Sequence, residues 1–330
     1  MDGIRSVGFL TPEEVEQALR AATAAPSLCN SQPWWFRCTP TAIELHADAR
    51  RTVPVADPEH RELALGCGAA LLNLRLAIRA VGVHPDVRLL PEHGRPDLLA
   101  AVRPAARRPV TPSDRELAEA IHRRHTNRRP FTAAAVPDPL RARLRQAAEA
   151  ERAWLAVLDR THYGRLQALA REAHQAQLED PEFVAEWRHW TGRDDHALDG
   201  VPARASGPRP EPQDEWVLRD YSGGTASPRV PGKDFEPEPL ICVLGSFQDT
   251  PLAQLQAGVA MQHVLLTATA SGLASSFLSQ VIEVPRTRRE LRSLIGGGLW
   301  PQTVLRIGYG SPVPPTPRRP LSDVLTPDAS

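Results

Sequence analysis

The chain has 330 residues, with 39 acidic and 39 basic side chains, so its formal net charge at pH 7 is zero. That balance argues against nucleic-acid or anionic-membrane partners, and the length predicts about two domains. The four cysteines lack a paired or metal-ligand spacing, and no stretch resembles a signal peptide or a membrane helix of ~20 apolar residues. These features predict a cytoplasmic protein with reduced thiols and no metal.

The first part of the chain predicts alternating helices and strands. A helix begins at Thr11, which is followed by Pro12 and by Glu14 as in a capping box. The remaining elements expected here are two short strands within 35–46, a helix over 59–81 and a strand over 87–90. The stretch 103–112, with its prolines and arginines, is predicted to be a linker.

A proline-anchored loop at 25–36 follows the first helix. Pro26 and Pro33 restrict the residues before them to extended conformations, and Ser27, Asn30 and Gln32 place hydrogen-bonding groups beside aromatic residues. Such a loop suits a flat, heteroatom-rich ligand with a polar edge. The local sequence leaves open the alternative of an ordinary turn that leads into a tryptophan-rich core strand.

A second set of elements follows. The predicted helices are 113–123, 139–151, 163–177, 181–190 and 257–271, and the predicted strands are 154–158, 239–246 and 303–307. Between them, 199–239 is rich in proline, glycine, serine and charge, which is typical of a functional cover or a disordered segment.

Two stretches of the chain repeat each other. Residues 68–82 align without a gap with 258–272, and the identical pairs are Gly68/Gly258, Ala70/Ala260, Leu76/Leu266, Ala80/Ala270 and Gly82/Gly272. We interpret the chain as two diverged copies of one unit, 1–110 and 111–330, with a lid insertion at about 199–239 in the second.

The loop and a later arginine cluster resemble the two halves of a known site. Pro26 to Trp34 has the pattern PSxxNxQPW, which resembles the flavin-contacting loop of FMN-dependent nitroreductases, and Arg124 to Arg128 resembles their arginine-rich N-terminal motif. Each copy carries the half that the other lacks. This arrangement, with a tail closing on Arg318 and Arg319, is similar to the actinobacterial Acg family of fused nitroreductase-like proteins.

The resemblance implies an α+β fold in which two nitroreductase-like α/β/α sandwich units in tandem form an intramolecular pseudo-dimer with one FMN. A monomer is then sufficient. The residues expected to hold FMN are Pro26, Ser27, Leu28 and Asn30 over the ring, Arg124 with Arg318 or Arg319 on the phosphate, Arg128 at the pyrimidine edge, His125, Thr126 and Asn127 nearby, and Ser279 and Gln280 on the N5 side.

The implied activity is electron transfer from NAD(P)H through FMN to a small organic acceptor, with the chemistry carried by FMN and no catalytic side chain. Two alternatives stay open from the sequence. One is a non-catalytic protein that binds or sequesters FMN under a closed lid. The other is a structural pseudo-dimer that binds no flavin.

Overall fold

The computed structural model describes residues 4–226, 229 and 239–326. The helices are α1 (Pro12–Thr23), α2 (Arg61–Ala80), α3 (Pro112–Arg123), α4 (Asp138–Glu149), α5 (Tyr163–Leu178), α6 (Pro181–Trp190), α7 (Pro251–Ala270), α8 (Gln280–Glu283), α9 (Pro285–Leu294) and α10 (Leu321–Val324). The strands are β1 (Trp34–Cys38), β2 (Ile43–Ala47), β3 (Val83–Leu89), β4 (Leu98–Arg107), β5 (Trp154–Val157), β6 (Thr191–Arg193), β7 (Val201–Pro202), β8 (Leu240–Ser246), β9 (Ala274–Phe277), β10 (Trp300–Gly308) and β11 (Leu325–Thr326). The predicted α+β class is confirmed.

The strands of the described residues form two main sheets and one small one. The first sheet has the order β11-β1-β2-β4-β3, the second β5-β8-β10-β9, and β6 pairs with β7. The main sheets are antiparallel except that β11 joins β1 in parallel, so the C-terminal tail returns to the first sheet. The division of the chain at residue 110 stays a prediction.

The helices that open each half begin in the same way. The Thr11 hydroxyl accepts from the Glu14 backbone N–H while the Glu14 carboxylate accepts from the Thr11 N–H, and Pro12 is the first helical residue. Thr111 and Asp114 repeat this capping box around Pro112 in α3. The reciprocal bonds satisfy backbone donors that the first helical turn leaves free.

The two long helices of the internal repeat pack against each other at their shared glycines. A Cβ atom on Gly68 would overlap the Leu255 carbonyl oxygen, and a Cβ on Gly258 would overlap the Leu65 carbonyl oxygen. Leu65 and Leu255 are themselves as far apart in the chain as the two glycines, namely 190 residues. The contact is therefore reciprocal, as it is in a two-fold symmetric interface. It supports the interpretation of the chain as a pseudo-dimer.

Helix α2 is long and apolar enough to span a bilayer by length and composition, which the sequence analysis did not expect. Within the described structure, however, 72% of its most apolar window is buried in the protein. Its partners are α1 and α7, and most of its side chains belong to the main hydrophobic core. Burial by other helices is the ordinary reason for a helix that is apolar on all sides.

Three of the predicted boundaries are wrong. The expected linker at 103–112 is largely strand, because β4 continues to Arg107 and pairs there with β3. Pro104 is tolerated since that end of β4 is hydrogen-bonded on one side only. Helix α7 begins at Pro251, six residues earlier than predicted, because Thr250 caps the Ala253 N–H. Strand β3 begins at Val83, directly after the turn at Gly82.

Candidate functional site

A cleft lies where the first-half loop meets α2 and the second half of the chain. The space in it that the centre of a water molecule can occupy is about 60 Å³, and its mouth opens to solvent. The lining residues are Pro26, Ser27, Leu28, Cys29, Glu62, Leu65, Gly66, Thr126, Arg128, Tyr221, Met261, Ser276, Phe277 and Ser279. Pro26, Ser27 and Leu28 thus share one cleft with Thr126, Arg128 and Ser279, although they lie far apart in the sequence.

The loop that carries Pro26 to Leu28 is held in an unusual backbone conformation. Cys29, Asn30 and Gln32 all have positive φ, at 49°, 57° and 53°. Residues other than glycine seldom adopt this left-handed region, and such strain persists only where surrounding bonds enforce it. The Ser27 hydroxyl contributes one of those bonds by accepting from the Gln32 N–H at 2.9 Å. The loop is therefore shaped in advance of any ligand.

Helix α2 comes close enough to that loop to need a glycine. A Cβ on Gly66 would lie 3.2 Å from the Ser27 Cβ, which is tighter than an ordinary van der Waals contact. The two glycines of α2 thus serve different contacts, Gly66 with the loop and Gly68 with α7.

Two arginines meet at the base of the loop without an acidic partner among the described residues. Arg124 is only 3% exposed, and its Nε and Nη1 have no hydrogen-bond acceptor. Its Nη2 faces the Ala24 carbonyl oxygen at 3.4 Å, and the Arg318 Nη2 donates to the Ala24 and Ala25 carbonyls at 3.1 and 3.0 Å. These carbonyls immediately precede Pro26, so the arginine pair adjoins the cleft.

The surroundings of Arg124 and Arg318 disfavour the positive charge on each side chain. Burial and the neighbouring Arg128 charge lower the pKa of Arg124 to about 10, and burial and the Arg124 charge lower the pKa of Arg318 to about 9. Both shifts mean that the environment disfavours the positive charge. A buried cation without a counter-charge is costly, so this region is suited to an anionic ligand.

His125 lies beside Arg124 and Arg318, and their charges affect its pKa. Burial, followed by the charges of Arg124 and Arg318, lowers the pKa of His125 to about 4. The imidazole is therefore neutral at pH 7. His125 does not line the cleft, so its predicted role as a ligand contact stays a prediction.

Asn30 occupies a different place from the one predicted, because its amide does not line the cleft. Its Nδ2 donates to the Gly200 and Pro317 carbonyls at 2.9 and 3.1 Å, and its Oδ1 accepts from Arg318 at 2.9 Å. Gln32 behaves similarly, since its Nε2 donates to the Leu198 carbonyl and its Oε1 accepts from the Arg319 N–H. The side-chain amides of Asn30 and Gln32 thus bind the backbone at 198–200 and the C-terminal tail.

The structure separates the two tail arginines that the sequence could not distinguish. Arg318 joins Arg124 at the base of the loop, whereas the Arg319 side chain turns toward the Asp48 carboxylate at 3.8 Å. Burial and the Arg51 charge lower the pKa of Arg319, and the Asp48 charge opposes that shift. Arg318 is therefore the tail residue placed to meet an anion with Arg124.

Asn127 and Gln280 are near the cleft but do not line it. The Asn127 Nδ2 donates to the Ser311 carbonyl at 2.9 Å and its Oδ1 accepts from the Arg129 N–H at 3.0 Å, so the amide is already satisfied. Gln280 begins α8 and lines a smaller adjoining cavity with Arg128. Their predicted contacts with a cofactor stay predictions.

The segment predicted to be a lid is described up to 226 and at 229, and 227, 228 and 230–238 lie outside the described residues. Its role as a lid stays a prediction, and Tyr221 is the one described residue of the segment that lines the cleft. Tyr221 lines the cleft with the Arg128 guanidinium 4.4 Å above its ring, and Arg128 also donates to the Ala205 carbonyl at 3.0 Å. Arg219 forms a buried ion pair with Glu283. These bonds hold the cover against the second half.

The sequence analysis missed several lining residues. Glu62, Met261 and Phe277 lie within ordinary helix and strand patterns, and Tyr221 lies in a segment without a recognisable motif. Gly66 was the one with a signal, because a glycine inside a helix indicates a close approach. Among the described residues, no three His, Cys, Asp or Glu side chains gather as a metal site would require.

A second cavity occupies the position that the internal repeat makes equivalent to the cleft. Its lining includes Leu71, Val87 and Gln256, which are 190 residues from the cleft residues Met261, Phe277 and Gly66. The space that the centre of a water molecule can occupy is about 250 Å³ here, which is larger than in the cleft. Here, however, charges are paired, since Arg75 donates to both Glu151 carboxylate oxygens at 2.9 and 3.3 Å.

The comparison with known proteins follows the whole length of the chain. It is 35% identical over 327 residues to a Mycobacterium tuberculosis protein named "Putative NAD(P)H nitroreductase Rv3131", which covers 96% of this chain and 92% of that protein. The chain belongs to this Acg-like nitroreductase family. A second member from the same organism, "Putative NAD(P)H nitroreductase acg", is 30% identical over 96% of each chain. No family model matches the sequence.

Solved structures are less similar to this member of the family. A Bacteroides fragilis nitroreductase with bound FMN covers 62% of this chain and 94% of its own, at 15% identity and a TM-score of 0.38. A Vibrio parahaemolyticus nitroreductase A covers 65% of this chain and 77% of its own, at 13% identity and a TM-score of 0.39.

Proposed function

We propose that this chain binds one FMN between its two halves and transfers electrons from NADH or NADPH through it to a small organic acceptor. The observation that carries the proposal is the buried pair Arg124 and Arg318, which lacks an acidic partner among the described residues and adjoins the cleft. The name of the 35% identical relative supports the same class of activity.

The residues present fit the cofactor at both of its ends. A phosphate dianion would supply the charge that the two guanidiniums lack, and arginine donors match phosphate oxygens in pairs. The cleft offers Pro26, Leu28 and Phe277 as apolar surface for a flat ring, with Ser27 and Thr126 as polar groups. Only one of the two equivalent cavities has this charge distribution, which supports one cofactor per chain.

When bound, FMN supplies hydride acceptance and donation at its N5. The protein's part is to orient and to exclude water. The strained loop fixes Ser27 and Leu28 on one side of the cleft, and the cover places Tyr221 on another. Arg128, whose place Tyr221 and Ala205 restrict, would hold a positive charge where the ring accumulates negative charge on reduction.

A second candidate is storage of FMN without turnover. It is favoured by the number of bonds that hold the cover, among them the buried Arg219–Glu283 pair and the contacts of Asn30 and Gln32 with 198–200. A cover fixed in this way would leave little room for a second substrate. We expect the monomer to be sufficient for either function, because both halves of the cleft belong to one chain.

Titration of the purified protein with FMN tests the proposal. We expect quenching of flavin fluorescence to saturate at one FMN per chain, and anaerobic NADPH or NADH to bleach the bound flavin. Flavin that stays yellow under both nucleotides, but bleaches with dithionite, would favour storage. Protein that refuses added FMN would leave the flavin-free pseudo-dimer as the remaining interpretation.

A further inference from the structure

One acidic side chain lines the cleft, and nothing in the proposed flavin chemistry has used it. Among the described lining residues, Glu62 is the only carboxylate. Its side chain is 12% exposed and lies on the second residue of α2. A buried carboxylate is costly unless it is paired, and a titratable group in a ligand cleft is a candidate for a chemical role.

Neighbouring groups fix the position of Glu62. Its Oε1 accepts from the Arg61 Nη2 at 2.5 Å, and the Arg61 Nη1 donates to the Gln302 carbonyl of β10. The Glu62 backbone N–H donates to the Asp57 carboxylate at 3.0 Å. The carboxyl is thus held between α2 and the second sheet.

The charges that face Glu62 favour its protonated form. Burial raises the pKa of Glu62, the Arg61 charge opposes this, and the negative charges of Asp57 and Glu283 raise it further. Glu283 is itself paired with Arg219, and Arg128 and Tyr221 face the same cleft. The net direction leaves a larger share of the neutral acid near pH 7 than an exposed glutamate would have.

Other side chains of the cleft are poorer acids. Burial raises the pKa of the Cys29 thiol to about 12, and the hydroxyls of Ser27, Thr126 and Ser279 do not ionise in the neutral range. Glu62 is the one carboxyl group among the described lining residues and is therefore the candidate proton donor.

We propose that Glu62 is the proton donor to the acceptor that is reduced in this cleft, an assignment that rests on the proposed function. The acceptor, of the quinone or nitroaromatic class, receives a hydride from reduced FMN and gains negative charge on an oxygen. The O–H bond of Glu62 breaks as a new O–H bond forms on that oxygen. Oxidised FMN and the Glu62 carboxylate remain.

The carboxylate has a path by which to recover its proton. Arg61, which binds Glu62, lines a separate cavity together with Asp57 and Glu283. The Arg61–Glu62 pair therefore lies between the cleft and a second space open to solvent. A water molecule entering from that side can return the proton without passing the acceptor.

The test separates proton-requiring from proton-free oxidation in the flavin-loaded protein. Reduced wild type and E62Q are mixed anaerobically with a benzoquinone, which takes up protons, and with ferricyanide, which takes electrons alone. We expect E62Q to slow oxidation by the quinone about 100-fold at pH 7, as for loss of a general acid, and to leave oxidation by ferricyanide unchanged. In wild type, the quinone rate should fall as pH rises through the Glu62 pKa.

Glu151→Gln is the matched control, because it removes another partly buried carboxylate bound by arginine, in the equivalent cavity. We expect it to change neither oxidation rate. E62D, which keeps a carboxyl group, should restore part of the quinone rate and its pH dependence. If E62Q does not fold, the quinone rate of E62D compared with wild type tests the assignment instead.

A measurement on the flavin-free protein makes the test independent of activity. The infrared carboxylic-acid C=O band at pH 7 should lose intensity in E62Q and not in E151Q. Equal quinone rates in wild type and E62Q, with FMN bound and reducible in both, would overturn the Glu62 assignment alone. Failure of the wild type to bind or reduce FMN would overturn the proposed function and this assignment with it.

Discussion

The two cavities beside the α2–α7 crossing differ in how the charges at them are paired. Beside the cleft, Arg124 and Arg318 are buried without acidic partners among the described residues, whereas in the equivalent cavity Arg75 binds Glu151 through both oxygens. Burial acts to raise the Glu151 pKa, but hydrogen bonding from His263 and the Arg75 charge outweigh it, and the pKa is lowered. One cavity keeps unbalanced charge for a ligand, and the other has neutralised it.

The difference in charge pairing indicates which of the two cavities is suited to an anionic ligand. A buried cation without a partner lowers the stability of the ligand-free protein, so it persists where a ligand repays that cost. In the equivalent cavity, Arg75 has such a partner in Glu151. Both cavities depend on the same helix crossing, which makes three experiments informative.

The largest effect is expected at the crossing itself. G68A and G258A each place a methyl group against a backbone carbonyl of the facing helix, which cannot move without separating the helices. We expect each to lower the free energy of unfolding by about 3 kcal/mol or more, measured by urea denaturation. Similar losses at both positions would support the pseudo-two-fold relation, and a large loss at one alone would contradict it.

Gly164 provides the control for those substitutions. It lies in α5, and no heavy atom comes within 4 Å of a Cβ added there. G164A should therefore raise the free energy of unfolding by about 0.5 kcal/mol, as alanine does at an unstrained helical glycine.

The next effect distinguishes the two arginine environments. R124M should weaken FMN binding about 30- to 100-fold, since it removes charged donors to the phosphate, each worth about 1.5–3 kcal/mol. The same change should raise the stability of the flavin-free protein by about 1 kcal/mol, because an unpaired buried charge is replaced by an apolar side chain. Flavin fluorescence and urea denaturation give the two numbers.

R75M is the matched variant in the paired cavity, and we expect the opposite pattern. Its loss leaves Glu151 with His263 alone, at 3.5 Å, so the free energy of unfolding should fall by about 2 kcal/mol. FMN affinity should stay unchanged. If R75M weakened FMN binding as much as R124M, the functional difference between the cavities would be refuted.

The smallest effect concerns pH. In the folded protein the His125 pKa is lowered to about 4 by burial and by Arg124 and Arg318, against about 6.5 in the unfolded chain. The unfolded chain therefore binds more protons below pH 6.5, and stability is lost as pH falls from about 6.5 toward 4. H125N should remove about 1 kcal/mol of that loss at pH 4, a value reduced because the ring is half-exposed.

Bound FMN should reduce the same loss in wild type, since its phosphate offsets the arginine charge beside His125. Denaturation curves at pH 4 to 7, with and without FMN, measure both effects. The exposed His122 is the control, and H122N should leave the pH dependence unchanged. Part of the loss will remain in H125N, because burial and the Arg219 charge also lower the His174 pKa to about 4.

Local patterns account for what the sequence predicted well. The capping residues Thr11 and Thr111 act over a few positions, so the starts of α1 and α3 are readable with little error. The internal repeat of 68–82 in 258–272 identified the two helices that cross. The motif at 26–34 and the cluster at 124–128 indicated which segments would converge on one cleft.

The sequence by itself determined the α+β class, the two long helices and the segments from which the cleft is built, because turn chemistry, caps and periodicity are properties of neighbouring residues. Only the tertiary structure decided that Asn30 binds Gly200 and Arg318 instead of lining the cleft, that Arg319 turns to Asp48, and that Glu62 faces the cleft. Those outcomes depend on partners up to 288 residues away, and a hydrogen bond over that distance leaves no trace in local sequence.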